Sequence, residues 1–309
     1  MKRGFLIAGT VLGAVAVVVG VYSGWTRIQP EFKASASPDI AGLQAKAEKE
    51  AAAVKAAEAA KKAEADAEAT QLQSVLNTFS ARYPGQFGIV TTNLKTGASA
   101  NVNANQQMVA ASLYKLFVGY GIYKKIDAGE LKPTSQTKGS ALTIKQCLHI
   151  MITISDNDCG YYLGRMVGWA ALDADLKSLG LTQTKVNNYV SANSGNVNSD
   201  KQTSPADVSL FLTRLYHGEL LSEKSTKDYT DVLKATTMNT WLASGLPKGT
   251  VFGHKTGALY NLVHDAGIVY GANGDYLIVV MSRNWQNASK QPPPVFADIS
   301  RQVWNFFNK

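Results

Sequence analysis

The sequence predicts an α/β fold of the α+β sandwich type, in which one antiparallel five-stranded sheet is flanked by helices and carries an inserted all-helical lobe. Two observations support this prediction. Runs rich in β-branched residues, bounded by turn signals, occur near both ends of the globular part of the chain. Amphipathic helical patterns fill the long stretch between them. Strands at both ends with helices between them are typical of one sheet completed by both termini of a domain.

The chain begins with a candidate membrane segment in residues 1–27. Lys2 and Arg3 precede an uncharged stretch from Gly4 to Thr26, which approaches the roughly 20 apolar residues that cross a bilayer. A cleaved signal peptide is the alternative, because Ala34-Ser35-Ala36 resembles a cleavage site, but this triplet lies well past the apolar stretch. We expect an uncleaved single-pass anchor in the cell membrane, with the rest of the chain outside the cytoplasm.

Residues 28–70 predict a helical stalk. From Ile40 to Thr70 the chain is nearly all Ala, Lys and Glu, which are strong helix formers. Opposite charges at helical spacing, such as Glu58 and Lys61, support a solvated helix, and the scarcity of large apolar residues argues against a stable coiled coil. We interpret this segment as a semi-rigid spacer.

Residues 71–309 predict the catalytic domain. Its first helix ends at Tyr83-Pro84-Gly85 and its first two strands form a hairpin. The predicted elements are, in order, an amphipathic helix with Leu72, Val75, Leu76 and Phe79 on its apolar face, strands Gln86–Leu94 and Ala98–Val102 around a turn at Lys95–Gly97, strands Thr250–Gly257, Ala266–Tyr270 and Tyr276–Ser282, and a closing helix Val295–Phe307 with Ile299, Val303 and Phe306 on one face.

Charge and cysteine content narrow the function classes. The formal net charge is +8, but no Arg/Lys-rich run and no nucleic-acid motif is present, so we expect no nucleic-acid partner. Cys147 and Cys159 lack the CxxC spacing of a zinc or redox site. We expect two buried thiols, although a bridge is possible because both lie in one predicted helix-turn-helix stretch.

The first motif with chemical potential is Ser112-Leu113-Tyr114-Lys115, at the start of an apolar helical segment. Residues three apart share a face of a helix, so we expect Lys115 beside the Ser112 hydroxyl. A lysine can act there as a base if burial and a second nearby cation keep its amine neutral. Taken alone, the motif is better interpreted as a helix-capping serine followed by a solvated lysine.

Two further motifs add polar groups. Ser155-Asp156-Asn157 follows the apolar stretch Leu148–Ile154, where a hydroxyl could relay a proton and a carboxamide could orient a substrate amide. Lys255-Thr256-Gly257-Ala258 lies on a predicted strand, where a cation and a hydroxyl could bind a carboxylate and a glycine could admit a substrate backbone. Taken singly, the first is ordinary helix-capping chemistry and the second a charged edge strand.

Together, in this order, the three motifs resemble the signature set of β-lactamases and penicillin-binding proteins. From about Gln71 to Lys309 the chain resembles the class A β-lactamase branch of that family, so the resemblance implies a β-lactamase/transpeptidase-like fold. Asp265, after the third motif, and Thr203-Ser204-Pro205-Ala206-Asp207, before a Leu-rich helix, are also similar to that branch.

The resemblance implies a role for each matching residue. Ser112 would attack a carbonyl and become acylated, with Lys115 as base or proton relay, and Ser155 would pass a proton to the leaving nitrogen. The implied binding groups are Asn157 for a substrate amide, Lys255 and Thr256 for its carboxylate, and the backbone N–H groups of Ser112 and Ala258 for the oxyanion.

The resemblance also implies partners. The substrate would be a β-lactam or the D-Ala-D-Ala end of a peptidoglycan stem peptide, and no metal or organic cofactor is needed. We expect the catalytic domain to be monomeric.

One departure concerns release of the acyl group. Class A β-lactamases carry a glutamate in the loop before a Thr-x-Pro landmark, where it activates water. Counting back from Pro205 reaches Asn188, and Leu181–Gln202 contains no glutamate. Its one carboxylate, Asp200, lies too near the landmark to be assigned this role. We therefore expect acylation to survive and hydrolysis to need another base.

A histidine-based triad is the competing catalytic hypothesis. We expect His254 on the opposite face of its strand from Lys255, and packing or surface positions for the histidines in general. The candidates are His149, His217, His254 and His264. Core or rim positions are expected for Trp241, Trp285 and Trp304.

Three functions remain open from the sequence. They are hydrolysis of β-lactams, a cell-wall D,D-carboxypeptidase or penicillin-binding protein with slow β-lactam turnover, and a non-turnover sensor or scaffold. The short N-terminal tail offers no cytoplasmic output domain, which disfavours the sensor.

Overall fold

The computed structural model of the protein describes residues 40–83, 86–187 and 201–308. The predicted anchor, the first part of the predicted stalk, the Pro84-Gly85 turn signal and residues 188–200 lie outside these ranges. The chain divides into a unit that ends at Ala57 and a unit from Glu58 to Lys309. Among the described residues, no helix combines the length and the apolar character that spanning a membrane requires.

Helix α1, Ile40–Arg82, joins two elements that the sequence predicts separately. Its Ala-, Lys- and Glu-rich part is exposed from residue 42 to 57, whereas Leu72, Leu76 and Phe79 are completely buried. Glu68, assigned by the sequence to the stalk, accepts hydrogen bonds of 2.7 Å from Asn93 and of 2.7 Å from Thr96. Contacts of the folded unit therefore begin before Gln71.

The strands form two sheets. Their bounds are β1 Gln86–Asn93, β2 Ser99–Val102, β3 Met108–Val109, β4 Gln202–Thr203, β5 Val251–Leu259, β6 Leu262–Tyr270 and β7 Tyr276–Arg283. Five of them form the predicted antiparallel sheet, in the order β2-β1-β7-β6-β5. Strand β6 begins at Leu262 and not at the predicted Ala266, because Val263 and His264 already pair with the end of β5.

Helices cover both faces of this sheet, which confirms the predicted sandwich. They are α2 Tyr114–Asp127, α3 Ile144–Thr153, α4 Asn157–Val167, α5 Trp169–Ser178, α6 Pro205–Tyr216, α7 Glu223–Lys234 and α8 Pro292–Phe307. Successive residues of β7 point to opposite faces, so Ile278 packs with α8 and the end of α1, whereas Leu277 packs with the helical lobe. Helix α8 begins at Pro292, three residues before the predicted start, because proline is well tolerated in a first helical turn.

The two-residue strands β3 and β4 form a small second sheet that the sequence does not predict. Met108 pairs with Thr203 and Val109 with Gln202, and the Ala110 N–H donates to the Lys201 carbonyl over 2.8 Å. Strands this short carry no recognisable periodicity. Their pairing places the stretch around Lys201 beside the residues that lead into Ser112.

His264 connects the large sheet to this same stretch. Its ring is completely buried, and its Nδ1 accepts a hydrogen bond from the Ser282 N–H over 3.1 Å. Nε2 therefore carries the proton and donates to the Val109 carbonyl over 2.8 Å. Burial lowers the pKa of His264 to about 4, although the hydrogen bonds to backbone partners act in the opposite direction. His264 is thus a neutral structural residue, as expected for a packing histidine.

Cys147 on α3 and Cys159 on α4 form a disulfide, with their Cα atoms 5.2 Å apart. The expectation of two free thiols was wrong. The helices on either side of the Ser155-Asp156-Asn157 loop approach each other closely enough to meet the geometry of a bridge, which sequence spacing does not reveal. The cross-link encloses that loop.

We expect the double substitution Cys147→Ser with Cys159→Ser to lower the free energy of unfolding by about 3 kcal/mol, because it releases a short closed loop in the unfolded chain. Urea unfolding with and without dithiothreitol measures the effect. Reductant should destabilise the wild type and leave the double variant unchanged. Equal stability of the oxidised wild type and the variant would contradict the prediction.

We expect His264 to make stability depend on pH. The unfolded chain takes up the proton near pH 6.5 and the folded chain only near pH 4, so its contribution is complete above 6.5 and is lost as the pH falls towards 4. The loss amounts to about 3 kcal/mol. Urea unfolding at pH 7 and pH 4 should give a smaller pH difference for His264→Gln than for the wild type; equal differences would refute this.

Candidate active site

Ser112 lies in a 3-10 turn, Ala111–Leu113, that leads directly into α2. Ala111 has a φ of 43°, in the left-handed region that favours glycine. Ser112 is half-buried, whereas Lys115, in the first turn of α2, is completely buried. Ser112 thus precedes the helix that carries Lys115, and the burial of Lys115 excludes the solvated-lysine alternative.

The Lys115 amine contacts the second motif. Its Nζ donates to the Ser155 carbonyl over 2.6 Å, to the Asn157 Oδ1 over 2.7 Å and to the Ser155 Oγ over 3.2 Å. Burial lowers the pKa of Lys115 to about 8, and the nearby Asp156 carboxylate opposes that shift. Lys115 therefore stays mostly protonated at pH 7, and a minor neutral fraction, far larger than for an ordinary lysine, is available to act as a base.

The second motif contributes one residue to helix capping and two residues to the cavity wall. Asp156 caps α4, because its Oδ1 accepts from the Cys159 N–H over 2.8 Å. Ser155 has a φ of 61°, a strained conformation for a residue with a side chain. This backbone turn lets Ser155 and Asn157 face the cavity on either side of the cap. Capping chemistry and a position in the cleft thus coexist in one tripeptide.

Lys255 approaches the same hydroxyl from β5. It is completely buried, and its Nζ donates to the Ser155 Oγ over 3.0 Å and to the Thr256 carbonyl over 2.8 Å. Burial and the neighbouring Lys115 cation lower the pKa of Lys255 to about 7, while Asp265 acts in the opposite direction. Two lysines from distant parts of the chain therefore converge on Ser155.

Gly257 brings the third motif against the first. A Cβ on Gly257 would lie 3.2 Å from the Ser112 nitrogen and 3.3 Å from the Ala111 Cβ. We expected this glycine to admit a substrate backbone, but the closest neighbour is the protein's own nucleophile turn. Strand β5 thereby places Ala258 beside Ser112, both of them at the cavity wall.

These residues surround a cavity of about 320 Å³. Of the predicted site residues, Ser112, Ser155, Asn157, Thr256 and Ala258 line it. Lys115 and Lys255 lie behind Ser155, and Gly257 packs against the Ser112 turn. A larger, mostly apolar crevice of about 770 Å³ between α3 and α7 contains none of the predicted site residues. The smaller cavity is therefore the candidate site.

Sequence reasoning missed part of the wall. The additional lining residues are Ala111, Tyr114, Ile154, Met238, Trp241 and Leu259. Ala111, Tyr114, Ile154 and Leu259 lie within or beside the motifs, which is a usable signal, whereas Met238 and Trp241 belong to no motif. Trp241 is partly buried, as expected for a rim aromatic, and also packs near Phe296. Trp285 and Trp304 are likewise partly buried.

All four histidines fall within the described residues, and none lines this cavity. His254 is completely buried, and its Nδ1 lies 2.7 Å from the Asp265 Oδ1. Its Nε2 contacts the Asn239 Oδ1 over 3.2 Å. A histidine paired with an aspartate is therefore present, but within the described ranges no hydrogen bond joins its ring to a serine, so the arrangement that a histidine triad requires is not formed there.

Comparison with known proteins relates the chain to a family. The model of the beta-lactamase enzyme family matches residues 69–307. Beta-lactamase FAR-1 of Nocardia farcinica is 25% identical over 245 residues, which cover 72% of this chain and 78% of that protein.

Solved structures support the same relationship. A beta-lactamase from Chitinophaga pinensis superposes with a TM-score of 0.70 at 23% identity, covering 77% of this chain and all of that one, and shows the shared fold. The structure of PBP-A superposes with a TM-score of 0.66 at 28% identity, covering 77% of this chain and 96% of that one. The family match extends over most of the chain and includes all three motifs. The chain therefore belongs to the beta-lactamase enzyme family, as a serine hydrolase.

Proposed function

We propose that Ser112 forms an acyl-enzyme with β-lactams or with D-Ala-D-Ala-like peptides and that the acyl group is then hydrolysed. The convergence of two buried lysines on the Ser155 hydroxyl carries this proposal, because it supplies a candidate base and a proton relay at the cavity that Ser112 also lines. The Ser112 Oγ bonds to the carbonyl carbon while its proton passes to the neutral Lys115 amine. The carbonyl–nitrogen bond then breaks, and the nitrogen takes a proton from Ser155, which a lysine ammonium replaces.

Substrate binding in this proposal follows the same geometry. Lys255 and Thr256 bind the carboxylate, and Asn157 orients the side-chain amide. The backbone N–H groups of Ser112 and Ala258 stabilise the oxyanion, which is typically worth ~3 kcal/mol for each donor. The close packing of Gly257 on the Ser112 nitrogen supports this pairing of strand and turn.

A second candidate is a cell-wall D,D-carboxypeptidase or penicillin-binding protein with slow β-lactam turnover. The absence of glutamate from Leu181–Gln202 favours it, since no residue there matches the deacylating glutamate of class A enzymes. The similarity to PBP-A also supports it. Release of D-Ala from a pentapeptide would distinguish this candidate from a β-lactamase.

We further propose that the domain works outside the cytoplasm, tethered to the cell membrane by residues 1–27. The disulfide between Cys147 and Cys159 supports this location, because such bonds persist in oxidising compartments. The uncharged stretch Gly4–Thr26 supports the tether.

We expect penicillin to add its full mass to the wild type on Ser112, measured by intact-protein mass spectrometry with peptide mapping. The Ser112→Ala variant should remain unlabelled, because it lacks the attacking oxygen. A persistent adduct indicates slow deacylation and favours the second candidate, whereas a transient adduct with repeated turnover of a chromogenic cephalosporin indicates a β-lactamase. If the folded wild-type protein remains unlabelled, both candidate functions are contradicted.

We expect the second-order rate constant of acylation to peak between pH 7 and pH 8. It rises as Lys115 loses its proton, with a pKa of about 8, and falls as Lys255 loses the charge that binds the carboxylate, with a pKa of about 7. Benzylpenicillin methyl ester is the matched control, because it lacks the carboxylate and should lack the alkaline decline. Identical profiles for acid and ester would refute the role of Lys255.

A further inference from the structure

We propose that the buried His254–Asp265 pair is a positioning pair that holds the segment Thr236–Leu242 as the wall beside the carboxylate end of the cavity. The inference rests on the proposed function, since it takes Lys255 and Thr256 to bind the substrate carboxylate. The pair lies outside the three motifs and touches none of the reacting groups.

The pair contacts this segment at two points. The Asp265 Oδ2 accepts from the Leu242 N–H over 3.0 Å, while its Oδ1 lies 2.7 Å from the His254 Nδ1. The other ring nitrogen of His254 lies 3.2 Å from the Asn239 Oδ1. Both members of the pair are completely buried, so the segment is hydrogen-bonded to the interior of the sheet.

The same segment connects the two sides of the cavity. The Thr236 Oγ1 donates to the His254 carbonyl over 2.8 Å, on the edge strand β5. The Thr237 N–H and Oγ1 donate to the Thr153 carbonyl over 3.2 Å and 3.3 Å, at the end of α3 and two residues before Ser155. A displacement of the segment would therefore alter contacts with both the second and the third motif.

The segment presents Met238 and Trp241 to the cavity. The Met238 Sδ accepts a hydrogen bond from the Thr256 Oγ1 over 3.4 Å, so the wall contacts the hydroxyl assigned to the carboxylate. Met238 is 37% exposed, and residues 236–240 have no regular secondary structure. No helix or strand hydrogen bonds fix this stretch, so its position depends on the individual contacts described above, and those of the pair are the ones that reach Asn239 and Leu242.

Conservative and disruptive changes of Asp265 should differ. In Asp265→Asn the amide oxygen still accepts from Leu242, and the amide nitrogen can donate to the His254 Nδ1 once the ring proton sits on Nε2, facing Asn239. Asp265→Ala leaves the Leu242 N–H and the His254 ring without these partners. Asn239→Ala removes only the ring contact, and because Asn239 is exposed we expect the fold to remain intact.

The test measures acylation of Ser112 by benzylpenicillin and by its methyl ester, as the half-saturating concentration and the limiting rate. For the free acid, Asp265→Ala and Asn239→Ala should raise the half-saturating concentration, about tenfold for Asp265→Ala, with limiting rates within about twofold of the wild type. The preference for acid over ester should narrow. Asp265→Asn keeps both hydrogen bonds but removes the charge that opposes the lowered pKa of Lys255, so the variants are compared at pH 6, below that pKa, where Asp265→Asn should stay close to the wild type.

Asp275→Ala is the matched control, because it removes a 2.9 Å hydrogen bond from Tyr216 away from the cavity. Circular dichroism establishes that each variant is folded, and Asn239→Ala keeps the test valid if Asp265→Ala does not fold. Three results would overturn the positioning role: unchanged half-saturating concentrations, equal losses in limiting rate, or the same effect in Asp275→Ala. In each case, labelling of the wild type on Ser112 would leave the proposed function standing. An unlabelled wild type overturns the proposed function, and this inference with it.

Discussion

The active site depends on burying two lysine ammonium groups around one serine hydroxyl. Lys115 and Lys255 are both completely buried, and their Nζ atoms lie 3.2 Å and 3.0 Å from the Ser155 Oγ. Desolvation lowers the pKa of both lysines, and the Lys115 cation lowers the pKa of Lys255 further. The free-energy cost of burying these charges falls when each amine proton has a hydrogen-bond acceptor. Because some of these acceptors are backbone carbonyls, the surrounding backbone must be held in position.

Separate devices hold the three elements that meet at Ser155. The disulfide encloses the loop that carries Ser155 and Asn157, and this loop supplies three of the acceptors of Lys115. Gly257 lets β5 pack on the Ser112 turn. His264 and the small β3–β4 sheet secure the stretch before that turn from the other side. Strain at Ala111 and Ser155 is tolerated because the neighbouring structure determines these conformations.

For the acyl-enzyme chemistry that we propose, the chain offers more groups for forming the acyl group than for releasing it. Nucleophile, candidate base, proton relay and carboxylate-binding groups all meet at one cavity. Release requires an activated water, and the segment Leu181–Gln202 offers no glutamate for it. The difference between a β-lactamase and a slowly deacylating relative therefore depends on deacylation. The groups that carry out acylation do not decide it.

Local sequence determined the five-stranded sheet, the helical lobe and the residues of the three motifs, because periodicity, turn residues and motif spacing are properties of neighbouring positions. It did not determine the disulfide, where we expected free thiols, or the β3–β4 pairing, or the wall formed by Met238 and Trp241. The sequence also predicted Gly257 as a site residue, but to admit a substrate backbone, whereas the structure shows it packed against the Ser112 turn. Each of these depends on which distant segments meet at short range, and only the packed tertiary structure decides that, since close contacts between remote residues leave no local pattern in the chain.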